Sequence, residues 1–124
     1  QEWIIDLMPK YQNFYYSVDA DISHIYGYRK EHQHQRLNNK EEYLAYIREN
    51  FDSVLNEEVD HWKLRIEKYP DRFTWGSDRW FAWQFTPEVG GILEEFGRSF
   101  IGRLAPGAQE NFAYKNAERM LEER

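Results

Sequence analysis

Between Asn39 and Pro70 runs an unbroken amphipathic stretch with a short strand-like run on either side of it. Tyr43, Ile47, Phe51, Val54, Leu55, Val59, Trp62 and Ile66 recur at helical spacing and hold one apolar face for about seven turns. Asn39 stands as N-cap with Glu42 three residues on, the capping-box pattern. Pro70 stops the helix, because it can neither donate to nor fit inside another turn. Upstream, Phe14, Tyr16, Val18, Ala20 and Ile22 alternate with Tyr15, Ser17, Asp19 and Asp21, which predicts a strand over 14–22 entered from the turn residue Asn13. Downstream, Arg72-Phe73-Thr74-Trp75 is a second, brief strand ended by Gly76 and apolar enough to be buried. A strand, a crossover helix and a strand make a right-handed βαβ unit with parallel strands.

The rest of the chain is helical in pattern. Trp3, Ile4, Leu7, Met8 and Tyr11 share one helix face, with Pro9 constraining the end. Thr86, Pro87 and Glu88 form a strong helix start, followed by the stripe Val89, Ile92, Leu93, Phe96, Phe100, Ile101 and Leu104, with Gly97 allowing close packing. Pro106 opens another helix with Phe112, Ala113, Ala117, Met120 and Leu121 on one side. The polar, aperiodic run from His24 to Asn39 reads as an exposed loop or arm. The expected class is therefore α/β, with about two parallel strands and three to four helices. Parallel strands normally belong to larger sheets covered on both faces. No capping residue precedes Trp3 and no initiator Met is present. Residues 1–124 are thus expected to be a single partial domain, a piece of something longer.

Composition narrows the function classes. The 124 residues hold 22 aromatic side chains against 20 of Ile, Leu and Val, so aromatics must do much of the core filling. A net charge of −6 argues against nucleic-acid binding, which needs a basic face to displace phosphate counterions. No apolar run approaches the length of a membrane span, and the mean hydropathy is −0.91. The absence of cysteine excludes disulfide scaffolds and thiolate metal sites. A cysteine-free chain suits either redox condition; with no secretory signal pattern visible, a cytoplasmic placement is favoured over a periplasmic or secreted one.

The chemistry concentrates in Tyr69-Pro70-Asp71-Arg72-Phe73-Thr74-Trp75-Gly76-Ser77-Asp78. Gly76 lets the backbone turn, and Asp78 is then presented beyond the C-terminal end of a strand, the edge where parallel α/β folds bind ligands. A carboxylate there suits a divalent metal or general-base work. The same pattern also arises when the aspartate merely caps a turn through backbone amides. Other candidates are weaker. His32-Gln33-His34 lies in the polar arm and reads as solvated loop, while His24, just past a strand end, is a better ligand candidate. His61 falls near the polar flank of the long helix and reads as surface. Asp19 and Asp21 pair as acid and base, or anchor a loop against Arg29 or Lys30. The run Trp80-Phe81-Ala82-Trp83-Gln84-Phe85 reads as packing against a neighbouring helix or chain. No Gly-rich phosphate loop, nucleophile elbow or Cys/His dyad is present.

The run Tyr69–Asp78 resembles the "YPdRflfGSD" segment of the amidohydrolase-related family of metal-dependent hydrolases and decarboxylases. Phe112–Leu121 is similar to that family's C-terminal helix, and Leu7–Asn13 with Asp21-Ile22-Ser23 resembles the run around its seventh strand. The resemblance implies the C-terminal part of a (β/α)8 TIM barrel. It implies Asp78 as metal ligand and catalytic proton carrier, with Ser77, Arg79 and Trp80 lining the substrate site and Arg79 facing an anionic group. It further implies a divalent metal, zinc or similar, in the parent protein and a small carbonyl substrate. Charge and hydropathy point away from nucleic-acid and membrane partners, and the open edges of a partial barrel predict a homo-oligomer. The region between Asn13 and Asp21 is longer than the family pattern, and the family's histidine ligands from earlier strands have no counterpart here. The chain alone is accordingly expected to be inactive. The alternative is a non-catalytic α/β or helical interaction module that binds a protein partner through its aromatic faces. Antiparallel or unpaired strands would remove the barrel reading.

Overall fold

In the computed structural model, which describes residues 2–19 and 39–122, strands β1 (Tyr16–Asp19) and β2 (Phe73–Gly76) lie side by side and parallel. The register runs from Tyr16 opposite Phe73 to Asp19 opposite Gly76. Ahead of β1 is helix α1 (Glu2–Leu7), and the segment linking the strands contains α2 (Lys40–Lys68). After β2 come a 3₁₀ turn (Ala82–Phe85), α3 (Pro87–Gly102), α4 (Pro106–Glu110), a π-helical turn (Asn111–Lys115) and α5 (Asn116–Glu122). The fold is α/β. The strand expected over 14–22 is present over its described middle; Asp21, Ile22 and the arm with His24, His32 and His34 lie outside the described residues.

Helix α2 begins as its sequence dictates, with the amide of Glu42 donating to Asn39 Oδ1 at 2.9 Å. Of its expected face, Tyr43, Ile47, Val54, Leu55, Val59, Trp62 and Ile66 are buried and Phe51 is half-buried. At its far end the amide of Tyr69 donates to the carbonyls of Arg65 and Ile66 before Pro70 breaks the ladder.

Side chains alternate across the two strands, and the two faces differ. Tyr16, Val18, Phe73 and Trp75 turn toward the helices. The Tyr16 ring stacks on Trp62 at 5.4 Å, Phe73 meets Trp62 edge-on at 6.1 Å, and Trp75 packs against Phe100 and Phe112, each at 6.1 Å. A buried phenylalanine of this kind is worth about 1.5–3 kcal/mol of transfer free energy. The opposite face carries Ser17, Thr74 and Gly76, and there Ser17 is exposed. A β-carbon at position 76 would stand 2.4 Å from Ser17 Oγ, so a larger residue there would turn that exposed hydroxyl aside. The second strand is thus fully buried only at Phe73, because helices cover one face and the other is polar.

Two helical expectations need correction in detail. Thr86 precedes Pro87 as expected, but its hydroxyl donates backwards to Trp83 O at 2.8 Å and does not cap α3. In the last helical segment Phe112 is buried, whereas Ala117, Met120 and Leu121 are exposed. The π-helical turn adds one residue there, which rotates the following face by about 100°. Asn116 is consequently the residue turned inward.

Candidate functional site at the end of β2

Two buried polar side chains fix where β2 starts. Asn116 donates through Nδ2 to Pro70 O at 2.8 Å and to Phe73 O at 2.7 Å, and its own Oδ1 accepts from Arg119. Arg72 donates through Nε to Phe14 O at 2.8 Å and through Nη2 to the carbonyls of Tyr11 and Phe14. Its guanidinium also lies 5.4 Å from the centre of the Tyr15 ring. Arg72 therefore ties the entry of β2 to the residues that lead into β1. These contacts connect the stretches Leu7–Asn13, Tyr69–Asp78 and Phe112–Leu121 into one bonded unit.

Beyond Gly76 the character changes. Asp78 has a φ of 38°, in the left-handed region that aspartate tolerates better than most residues. Its exposed carboxylate accepts a hydrogen bond from Trp80 Nε1 at 3.1 Å. Gln84, almost fully buried, holds the following loop by accepting from the amides of Trp80 (2.7 Å) and Phe81 (2.8 Å) through one oxygen. The aromatic run divides. Trp83 packs inward, 5.2 Å from the Tyr43 ring and stacked at 5.3 Å on Phe81, while Trp80 is 78% and Phe85 64% exposed.

Ser77 and Arg79 point elsewhere. Together with Trp75 and the α3 residues Leu93, Glu94 and Arg98 they line an open cleft of about 200 Å³. The Arg79 guanidinium lies 5.7 Å from the centre of the Phe85 ring, and its Nε is buried without a hydrogen-bond partner. The four residues expected to share one site thus fall into two pairs: Asp78 with Trp80 on the exposed loop, and Ser77 with Arg79 in the cleft.

Among the described residues, no group of three or more His, Asp or Glu side chains is placed to hold a metal ion. Asp78 offers a single carboxylate, and the described residues alone do not make a metal centre. His61 is half-buried and meets Trp62 edge-on at 4.8 Å, a packing contact in place of the surface position expected for it. At the start of α3, hydrogen bonds from Lys40 (2.8 Å) and Arg48 (2.9 Å) hold the Glu88 carboxyl below its ordinary range. No helix among the described residues is long and apolar enough to cross a membrane.

The sequence pattern did not single out Gln84, Glu94, Arg98 or Asn116. For Gln84 a signal exists, since a lone amide inside an aromatic run has to find partners when it is buried. For Asn116 none does, because the π-helical turn that faces it inward leaves no periodic trace. No family model, curated protein or solved structure matches the chain.

Proposed function

We propose that this chain carries the proton-transfer carboxylate of an amidohydrolase-related hydrolase or decarboxylase, as the C-terminal part of a (β/α)8 barrel acting on a small carbonyl substrate. The observation that carries the reading is the placement of Asp78: two residues beyond β2, which runs parallel to β1 with α2 in the connection between them. That is the edge at which parallel α/β folds place their chemistry.

The part of the chemistry that falls to this chain is proton movement at Asp78 Oδ1 and Oδ2. An ionised carboxylate takes a proton from a water attacking a carbonyl carbon and returns it to the leaving group. The indole N–H of Trp80 orients one oxygen, leaving the other free. Divalent metal binding belongs to the same proposal. It calls for ligands besides Asp78, and no step is assigned to the metal here.

Asp78→Asn is the test, because asparagine also tolerates the left-handed backbone and the fold should be unaffected. Assayed in a complete barrel that contains this chain, with small esters, amides and aryl carboxylic acids as substrates and divalent metal supplied, kcat/KM should fall roughly 10²–10⁴-fold with the melting temperature unchanged. Equal activity of the complete protein with and without the substitution would sink the proposal.

A second reading has its own support in the exposure of Trp80 and Phe85. On this reading the loop is a docking face for a protein partner, and Trp80→Ala would abolish binding while Asp78→Asn would not.

A further inference from the structure

Of the seven described arginines, five donate a hydrogen bond and a sixth, Arg98, has an ion-pair partner. Arg48 pairs with Glu88, Arg98 with Glu94, Arg103 with Asn56 and Arg119 with Asn116, while Arg65 and Arg72 donate to backbone carbonyls. Arg79 differs, with its Nε buried and unpartnered and its guanidinium resting over Phe85. No described carboxylate pairs with it. Glu88 holds Lys40 and Arg48, Asp78 accepts from Trp80, and Glu94 faces Arg98 at 3.7 Å. The end of the helix beside it adds positive charge. A β-carbon at Gly90, in the first turn of α3, would lie 3.6 Å from Arg79 Nη1, and helix N-termini carry partial positive charge. A partly desolvated cation next to another positive pole is unfavourable unless an anion completes it.

The space for that anion adjoins it. The cleft of about 200 Å³ is lined by two arginines, Arg79 and Arg98, and by Ser77, against a single acidic residue, Glu94. It is a locally basic spot on a chain of net charge −6. The remaining walls are the Trp75 ring and the aliphatic side chains of Leu93 and Ile101. The volume lies below the roughly 300–1,000 Å³ of sites for drug-sized ligands, so the occupant must be small.

We propose that this cleft binds a small, flat organic monoanion, whose carboxylate meets Arg79 and Ser77 and whose apolar body lies against Trp75. The fork of guanidinium donors matches a carboxylate's two oxygens. The indole and aliphatic walls remove the ligand's hydrocarbon from water. Asp78 takes no part in this site, and the inference holds whether or not the chain belongs to a hydrolase.

The test is equilibrium binding to the full chain, by calorimetry and tryptophan fluorescence, with three probes. Benzoate carries charge and flat body, acetate the charge alone, and benzyl alcohol the body alone. Benzoate should saturate at millimolar concentration or below, and bind about tenfold more tightly than either of the others. Arg79→Gln should weaken benzoate about tenfold or more, and Arg79→Lys severalfold through loss of the fork. Glu94→Gln should tighten it by removing a like charge from the rim. Far-UV circular dichroism verifies that each variant is folded, and Arg79→Lys stands in if Arg79→Gln is not. Absence of saturable benzoate binding overturns the inference. So does equal affinity for acetate or benzyl alcohol, or benzoate affinity indifferent to both Arg79 variants.

Discussion

At the entry of β2, Arg72 and Asn116 are buried and direct their donors at the backbone carbonyls of Tyr11, Phe14, Pro70 and Phe73. Past its exit, Arg79 keeps a buried Nε without a partner and Asp78 holds its carboxylate in solvent from a left-handed backbone. One strand of four residues therefore separates polar groups that finish their bonding inside the fold from polar groups that do not. Buried polar groups are almost always satisfied, because leaving one unpaired is expensive. The entry is accordingly structural, and the exit is where a ligand has bonds left to make.

The sharpest way to break this comparison is at Asn116. Asn116→Ala removes both donors to Pro70 O and Phe73 O and leaves a small void in a fully buried position. The expected loss is about 2–4 kcal/mol in urea denaturation, since two carbonyls lose partners at once. A loss below about 0.5 kcal/mol would mean that the entry is not held in this way. Next in size is Gly97→Ala on the exit side. Its new methyl group would lie 2.9 Å from Trp75 Cζ2, and Trp75 is wedged against Phe100 and Phe112. Overpacking of this kind costs about 1–3 kcal/mol. Because Trp75 is a wall of the cleft, the same variant should alter its near-UV circular dichroism, whereas Asn116→Ala reports on stability alone.

A smaller effect separates backbone from charge at Asp78. With φ at 38°, Asp78→Ala should cost about 1 kcal/mol through the left-handed penalty, and Asp78→Gly or Asp78→Asn close to nothing. Equal melting temperatures for all three variants would show that the turn imposes no backbone demand there.

What the sequence made legible follows the same division. The α/β order, the long helix from Asn39 to Lys68 and the parallel strands were readable because spacing and caps are local signals that the tertiary structure did not override. The grouping at the strand's exit was not. Ser77, Asp78, Arg79 and Trp80 are consecutive, and only the left-handed turn at Asp78 sends them to two places. A positive φ at a residue other than glycine has no periodic signature. The inward turn of Asn116 was hidden for a related reason: a single π-helical turn shifts the phase on which every later position was read.

The smallest effect concerns Glu88, the acid in the first turn of α3, which is committed to Lys40 and Arg48. Those two hydrogen bonds lower its pKa from the ordinary 4.5. A depressed carboxyl contributes stability that is fully present above its unfolded value and is lost as pH falls through the folded one. Glu88→Gln should therefore be slightly less stable than the parent sequence at neutral pH, and the gap should begin to close once pH drops below 4.5. In strong acid the two urea midpoints should coincide. The effect should also shrink in high salt, as exposed ion pairs do. A gap that widens in acid would show that Glu88 is not held ionised by its two cations.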